Sequence, residues 1–459
     1  MNIVIIGAGK IGVTLTEQLA REGHNITVID SRPEALTDIG NRLDIMTVEG
    51  NGISIETQTE AGVPQADLVI AVMSTDEQNL LSCLIAKKLG VNNTIARVRN
   101  PEYNSALQLV KEDLGLSMAL NPELASASEI ARILRTPSAI KIDTFSGGRV
   151  ELYKVAIPKS SPLDGLRLAD LGRVYAGVLI CVVERGPHEV HIPDGSFVLQ
   201  SGDHISFIAR PKVAAKFFHK IGIPSDPVKR VMLIGGGRIT YYLAKQMLDL
   251  GASVKIVEAK RAVCEDLADR LPDATVIHGD GTNEQLLREE GIASMDAIAT
   301  LTGIDEENVL MSLYARSVSR AKIVTKINRP TFSQIVKSMD LGSVFHPRFI
   351  ASDNIVRYVR AMQNSLGSNV ETLYKIVGNK AEALEFRATE KSAVCGVPLA
   401  ELSTRAGLLI GAINRGGRIL TPGGRDTIEP GDTVVVVSST PGLRELDDIL
   451  AGHRGYGHE

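Results

Sequence analysis

The sequence predicts an α/β chain that carries one design twice: a doubly wound parallel sheet followed by a small α+β domain, in the order A-B-A-B. Three observations predict it. Segments recur at a near-constant offset: Gly7-Ala8-Gly9 returns as Gly235-Gly236-Gly237 and Asp30 as Glu258, each 228 positions later. Asp76-Glu77-Gln78-Asn79 returns as Asp305-Glu306-Glu307-Asn308, and Ile95-Ala96-Arg97 as Val324-Thr325-Lys326, 229 positions later. Within each copy, apolar runs of strand length alternate with helical segments, the pattern of a parallel sheet covered on both faces. The repeat then runs on: Gly177-Val178-Leu179-Ile180 echoes Gly407-Leu408-Leu409-Ile410, and Gly202-Asp203 returns as Gly431-Asp432.

In the first copy Ile3–Ile6 reads as a strand, and Gly12–Glu22 has helical spacing through Leu15 and Leu19. Ile26–Ile29, the neighbourhood of Val48, and Leu68–Met73 read as further strands. The spacing predicts a helix over Leu80–Leu89 with Leu81, Leu84, Ile85 and Leu89 on its apolar side, then a fifth strand over Thr94–Val98. Asp76 and Asp305 read as helix N-caps first and ligand contacts second. A helix over Asn121–Arg135 and its counterpart over His346–Arg360 are expected to cross over and pack on a neighbouring lobe. The α+β piece reads as strands Val150–Ile157, Val178–Val183 and Ile205–Ala209 with a short helix near Leu166–Leu171. These readings give domains 1–135, 141–225, 228–362 and 370–453, with a hinge over Gly222–Val228.

Composition narrows the function. At 459 residues several domains are expected. A net charge of −4 argues against a general nucleic-acid binder. No apolar run reaches the roughly 18 residues that span a bilayer, and Met1–Lys10 has no leader pattern, so a cytoplasmic protein is expected. Cys83, Cys181, Cys264 and Cys395 are scattered without Cys-x-x-Cys pairing and are expected to be reduced and mostly buried. No zinc spacing, P-loop or nucleophile elbow is present, so neither a metal site nor hydrolase chemistry is expected.

The segment Gly7-Ala8-Gly9-Lys10-Ile11-Gly12 follows a strand and opens a helix, the Rossmann-like arrangement for a dinucleotide. The first glycine makes the turn, the second lets backbone approach the pyrophosphate, and the third lets helix and strand pack closely. Asp30, 23 residues after Gly7, closes the next strand and can accept hydrogen bonds from a ribose. That favours NAD or an adenine nucleotide over NADP, although Arg32 stands nearby. In the second copy Gly235-Gly236-Gly237-Arg238-Ile239-Thr240 has Thr240 in place of the third glycine, where a side chain is expected to push helix and strand apart. Glu258 offers the ribose acceptor, Arg238 can reach a phosphate, and Gly279-Asp280-Gly281-Thr282 supplies a turn beside the base. Arg97 and Lys326 end matching strands at the carboxyl edge of the sheet and can neutralise phosphate.

A dehydrogenase also needs a proton donor or acceptor beside the nicotinamide. The α+β pieces show no such pairing: His188 and His191 lie in a Pro/Gly-rich turn, Glu382–Ile449 has no histidine at a matching position, and His453 and His458 read as a frayed terminus. A sensor is therefore expected rather than an enzyme. A duplicated NAD-dependent oxidoreductase with a pocket between the two pieces stays as the alternative.

Taken together, Asn2–Gly12 as NIVIIGAGKIG, Asp30, the Asp76–Asn79 loop, Ala96–Tyr103 as ARVRNPEY and the A-B-A-B order resemble the RCK (regulator of potassium conductance) family. Within it the chain is most similar to the TrkA group, cytosolic NAD-binding subunits of Trk potassium-uptake systems. The resemblance covers essentially the whole chain. It implies nucleotide-binding lobes followed by small carboxy-terminal RCK lobes, self-association into a ring (a homotetramer), and placement against the inner face of the membrane under a TrkH-type channel subunit. It implies ligand contacts at Gly7, Gly9, Gly12, Asp30 and Arg97, and at Gly235, Gly237, Arg238, Glu258, Asp280 and Lys326. Asn51 stands where the family has an aspartate near the base, Met73 where it often has a small hydroxylated residue, and Thr240 is the third departure. They leave open which half takes NAD(H) and which takes ATP or ADP. Regulation of another cation transporter or antiporter stays as an alternative. Binding is expected to act by changing the angle between the lobes within each half.

Overall fold

The computed structural model describes residues 1–103, 113–135, 141–146, 149–186, 189–223, 228–329, 339, 341–365, 370–376, 380–440, 443 and 445–451. His188, His453, His458 and the centre of the expected hinge, 224–227, lie outside them. Each nucleotide-type lobe is a parallel sheet of six strands. The first has the spatial order Met46–Glu49, Asn25–Asp30, Asn2–Ile6, Leu68–Ala71, Asn93–Arg97, Met118–Leu120, so the order reverses beside Asn2–Ile6. The second repeats it with Thr275–His278, Ser253–Glu258, Arg230–Ile234, Ala297–Thr300, Lys322–Lys326 and Ser343–Phe345. The sixth strand of each is three residues long, too short for the sequence pattern to declare, and the five-strand expectation is corrected to six. Central strands are apolar throughout: Ile3–Ile6 and Leu68–Ala71 are buried on both faces.

The helix after the fourth strand spans Asp76–Lys88 and does not bury the expected face. Asn79, Ser82, Cys83 and Ala86 go into the lobe, while Leu81 is 44% exposed. Small side chains let this helix lie close on Asn93–Arg97, with Leu81 left outward and Leu80 and Leu89 packed only partly buried against the core. Nor is Asp76 the cap: Thr75 caps by accepting from Gln78 N–H at 3.3 Å.

The small domains are antiparallel five-stranded sheets. The first runs Glu189–His191, Leu179–Arg185, His204–Ala209, Val150–Ala156, Lys141–Phe145, and the second Val370–Ile376, Ala381–Arg387, Thr433–Ser438, Leu408–Arg415, Arg418–Leu420. In the first, the helix falls at Leu168–Val174, and a further helix, Pro211–Lys220, starts on proline and supplies Phe217 and Phe218 to the core.

In space the chain regroups, pairing A with A and B with B. Residues Met1–Ala131 and Val228–Val356 form one compact unit, and Arg132–Pro227 and Arg357–Glu459 another. The second unit has a shared core in which Leu152, Val182 and Ile208 meet Ala383, Val435 and Val437. Ser146 donates to Glu385 Oε1 from its backbone N–H (2.7 Å) and its hydroxyl (2.8 Å). The repeated Gly-Asp pairs close each small domain: Asp203 takes a bidentate guanidinium from Arg185 (2.9 and 2.7 Å), and Asp432 takes one from Arg415 (3.0 and 2.8 Å).

Candidate functional site

Both glycine turns form as their sequence requires. Gly7 (φ +111°) and Gly235 (φ +102°) adopt the left-handed backbone that starts the turn. Gly9 and Gly237 stand just before helices Lys10–Arg21 and Arg238–Asp249, and a Cβ on either would meet nothing within 4 Å. That space, facing the unpaired N–H groups of a helix start, is where a phosphate fits. Gly12 has no such freedom, since a Cβ there would lie 1.9 Å from the Gly7 carbonyl oxygen. The second copy solves the same contact differently. Thr240 is fully buried and its hydroxyl donates to the Gly235 carbonyl, and the helix still starts at the matching position. The expected wedge is instead a hydrogen bond.

The acids that end the second strands are anchored alike. Asp30 Oδ2 accepts from Ala8 N–H at 2.6 Å, and Glu258 Oε2 accepts from Gly236 N–H at 2.6 Å. Asp30 also accepts from Arg32 through its backbone N–H (2.9 Å), Nε (3.0 Å) and Nη2 (3.1 Å). Burial pushes the Asp30 carboxyl up, but the Arg32 side chain and the two backbone N–H groups outweigh it and hold it below its ordinary value.

The repeated aspartates and asparagines after the fourth strands shape the carboxyl edge. Asn79, fully buried, accepts from Met73 N–H (2.7 Å) and donates to the carbonyls of Met73 (3.3 Å) and Arg97 (2.9 Å). Asn308 ties Thr302 and Lys326 in the same way, accepting at 2.9 Å and donating at 3.2 and 3.1 Å. Asp76 accepts the N–H groups of Arg99 and Asn100 (both 2.8 Å), and Asp305 those of Asn328 and Arg329 (both 2.8 Å). These motifs hold the strand ends that present Arg97, Arg99 and Lys326.

A cavity of about 880 Å³ is lined by both lobes, within the usual size range of ligand pockets, roughly 300–1,000 Å³. Gly7, Gly9, Lys10, Ile11, Asp30, Asn51, Met73 and Arg97 line it from the first lobe, and Gly237, Arg238, Ile239 and Lys326 from the second. Ala8, Gly12, Gly235 and Gly236 are buried behind the turns. Glu258 and Asp280 are outside the lining, and the Asp280 carboxylate accepts from Thr282 N–H and hydroxyl within its own turn (both 2.8 Å). The sequence reading missed Arg99, Glu123, Asn328 and Arg348, which also line the cavity. Its basic lining comprises Lys10, Arg32, Arg97, Arg99, Arg238, Lys326 and Arg348, against the carboxylates Asp30 and Glu123.

The cations face across the lobes. Burial pushes the Arg97 guanidinium down from its ordinary value, with Arg99 and, from the other lobe, Arg238 adding and Glu123 and Asp76 opposing. Burial does the same to Lys326, with Lys10 of the first lobe adding and Asp305 and Glu123 opposing. Both glycine-turn cations and both strand-end cations line the same cavity, and the strand-end pair is held by carbonyls of its own lobes, Arg97 Nη2 donating to Met73 and Lys326 Nζ to Thr302 (3.0 Å).

The helices after the sixth strands, Pro122–Arg135 and Pro347–Ser365, help to join the lobes. Asn121 Nδ2 donates to Tyr242 Oη (2.9 Å), Gln246 Nε2 to Ser128 Oγ (3.2 Å) and Gln18 Nε2 to Asp353 Oδ1 (3.1 Å). Cys83 and Cys181 are buried, and burial pushes both thiols up to about 12. No helix among the described residues is long and apolar enough to cross a membrane.

The TrkA-N domain model matches residues 3–122 and 231–347, and the TrkA-C domain model matches residues 152–222 and 383–451. The chain is 31% identical to the Trk system potassium uptake protein TrkA homolog 1 of Methanosarcina mazei, over 97% of this chain and 99% of that protein. It is 32% identical to the TrkA homolog of Archaeoglobus fulgidus, over 98% of this chain and all of that protein. Its fold is similar to that of the GsuK channel bound to NAD, with a TM-score of 0.61 at 20% identity over 95% of this chain and 76% of that one. The expected tandem arrangement of Rossmann-like and carboxy-terminal RCK domains is present, and the chain belongs to the TrkA family of Trk-system potassium-uptake proteins.

Proposed function

We propose that this chain is a cytosolic, non-enzymatic nucleotide sensor that gates potassium uptake, binding NAD(H) or ATP/ADP in the cavity between its two Rossmann-like lobes. The observation that carries this reading is the basic lining that the two lobes share, Lys10 and Arg97 from the first and Arg238 and Lys326 from the second. A bound phosphate chain bridges cations of both lobes and so draws the lobes together. Coupling therefore acts between the two Rossmann-like lobes rather than within each half of the sequence. Gly9 and Gly237 leave room for phosphate at the helix starts, and Asp30 receives the ribose when the exposed Arg32 side chain gives way. NAD in GsuK, a channel of the same fold, supports the ligand class.

In this proposal four copies form a ring beneath a TrkH-type membrane subunit and pass the lobe movement to it. A ligand shifts such an equilibrium only through differential affinity for its two states. A coupling of about 1–3 kcal/mol changes the open fraction roughly 5- to 150-fold. The test is potassium flux in vesicles holding the membrane subunit and this chain, with NADH or ATP added. Nucleotide-dependent flux that is lost in Asp30→Ala supports the reading; flux indifferent to nucleotide overturns it.

A further inference from the structure

Two guanidinium groups of the cavity hold a buried Nε without a hydrogen-bond partner among the described residues, Arg97 from the first lobe and Arg348 from the second. A buried N–H donor left unmade is costly, so such a group marks a place for an acceptor from outside the chain. Arg97 is otherwise anchored, since its Nη2 donates to the Met73 carbonyl. Arg32 and Arg99, also in the lining, are paired with Asp30 and Asp76. Arg348 has neither kind of tie. Among the described residues it makes no ion pair, and its guanidinium lies 5.0 Å from the centroid of the Phe349 ring. The repeat places Glu123 at the equivalent position, so this cation is particular to the second lobe. An unpaired cation with a buried donor, in a cavity that also holds a glycine turn and a ribose acid, suits an anionic group of the ligand.

We propose that Arg348 reads the terminal phosphate of a nucleotide whose adenosine is held by the first lobe, and so favours ATP over NAD(H). This rests on the nucleotide reading above. Asp30 fixes the ribose on one lobe and Arg348 enters from the other, so the two residues meet opposite ends of the ligand. At its far end ATP carries a phosphate, whereas NADH carries the nicotinamide and its ribose. A guanidinium gains a charge-assisted, bidentate pair from the first and meets no anion in the second. ADP, one phosphate shorter, gains less. Lys10 and Arg238, at the two glycine turns, meet the phosphates that all three ligands share. Arg348 is thus a specificity determinant: only a terminal phosphate engages it.

The experiment is calorimetric titration of the full chain with ATP and with NADH, for wild type, Arg348→Gln and Arg348→Lys. Glutamine removes the charge and the forked donors, lysine keeps the charge alone, and unchanged melting curves establish that each variant is folded. The expected result is an affinity for ATP about tenfold lower in Arg348→Gln with NADH binding unchanged, and a partial recovery for ATP in Arg348→Lys. Unchanged ATP affinity in Arg348→Gln, or equal losses for ATP and NADH, overturns the assignment while leaving the nucleotide reading intact. Failure of wild type to bind either ligand ends both.

Discussion

Glu258 and Gly236 are matched in size: the Glu258 carboxylate accepts from Gly236 N–H at 2.6 Å, and a Cβ on Gly236 would lie 2.9 Å from Glu258 Cγ. The first lobe makes the same contact with Asp30, one methylene shorter, against Ala8, which has the Cβ that Gly236 lacks. One side-chain carbon has moved from one partner to the other.

Gly236→Ala alone is therefore predicted to destabilise by about 1–3 kcal/mol through overpacking. Adding Glu258→Asp should recover the part of that loss due to Glu258, the rest coming from Leu267 Cδ1, also 2.9 Å from such a Cβ. Urea unfolding of the two single variants and the double variant measures the coupling; additive losses would contradict the match.

Asn79 and Asn308 are predicted to be the most sensitive polar residues of the lobes. Asn79→Leu leaves the Met73 N–H and the Arg97 carbonyl without their partner in a buried setting, at about 2–4 kcal/mol for the two groups. It also releases the strand end that presents Arg97, so nucleotide affinity should fall with stability. A variant with wild-type denaturation midpoint and affinity would refute the strand-end role.

Acid should weaken the first small domain through Asp203. Burial raises its carboxyl, but the Arg185 side chain and Gln200 N–H outweigh this and hold it below the ordinary value. The sign follows from linkage: with the folded value depressed, the stabilisation is complete above the unfolded value of about 3.9 and is lost as pH falls through the folded value. Asp203→Asn should cost about 2–3 kcal/mol at pH 7 and progressively less below about pH 4. Equal losses at pH 7 and pH 3 would show that charge is not the cause.

Tyr242 is predicted to tie the lobes together. Its hydroxyl accepts from Asn121 at 2.9 Å and donates to the Arg99 carbonyl at 3.3 Å, beside the cavity. Tyr242→Phe and Asn121→Ala should show a coupling of about 1 kcal/mol in a double-mutant cycle. A coupling near zero would mean that the contact contributes nothing to holding the lobes.

Much of each lobe was legible because its signals are local. The turn at Gly7, the acid at Asp30 and the strand ends at Arg97 and Lys326 follow from spacing along the chain. In the helix Asp76–Lys88 hydrophobicity is a poor guide to burial. Close packing on the sheet selects small residues such as Ser82 and Ala86 instead. The cavity itself was illegible, since it assembles residues more than 200 positions apart and depends on lobes pairing across the repeat. A signal did exist for Glu123 and Arg348: each follows a proline that opens equivalent helices, so their opposite charges mark a broken symmetry.

The central claim is that one cavity, lined by both lobes, binds the nucleotide phosphates. Calorimetric titration with NADH and ATP of wild type, Asp30→Ala and Arg238→Ala tests it most directly, because Asp30 belongs to one lobe and Arg238 to the other. The account predicts that the same saturable binding event weakens in both variants, by about tenfold or more for loss of the Arg238 charge. Binding lost in Asp30→Ala but untouched in Arg238→Ala would contradict it and confine the ligand to a single lobe.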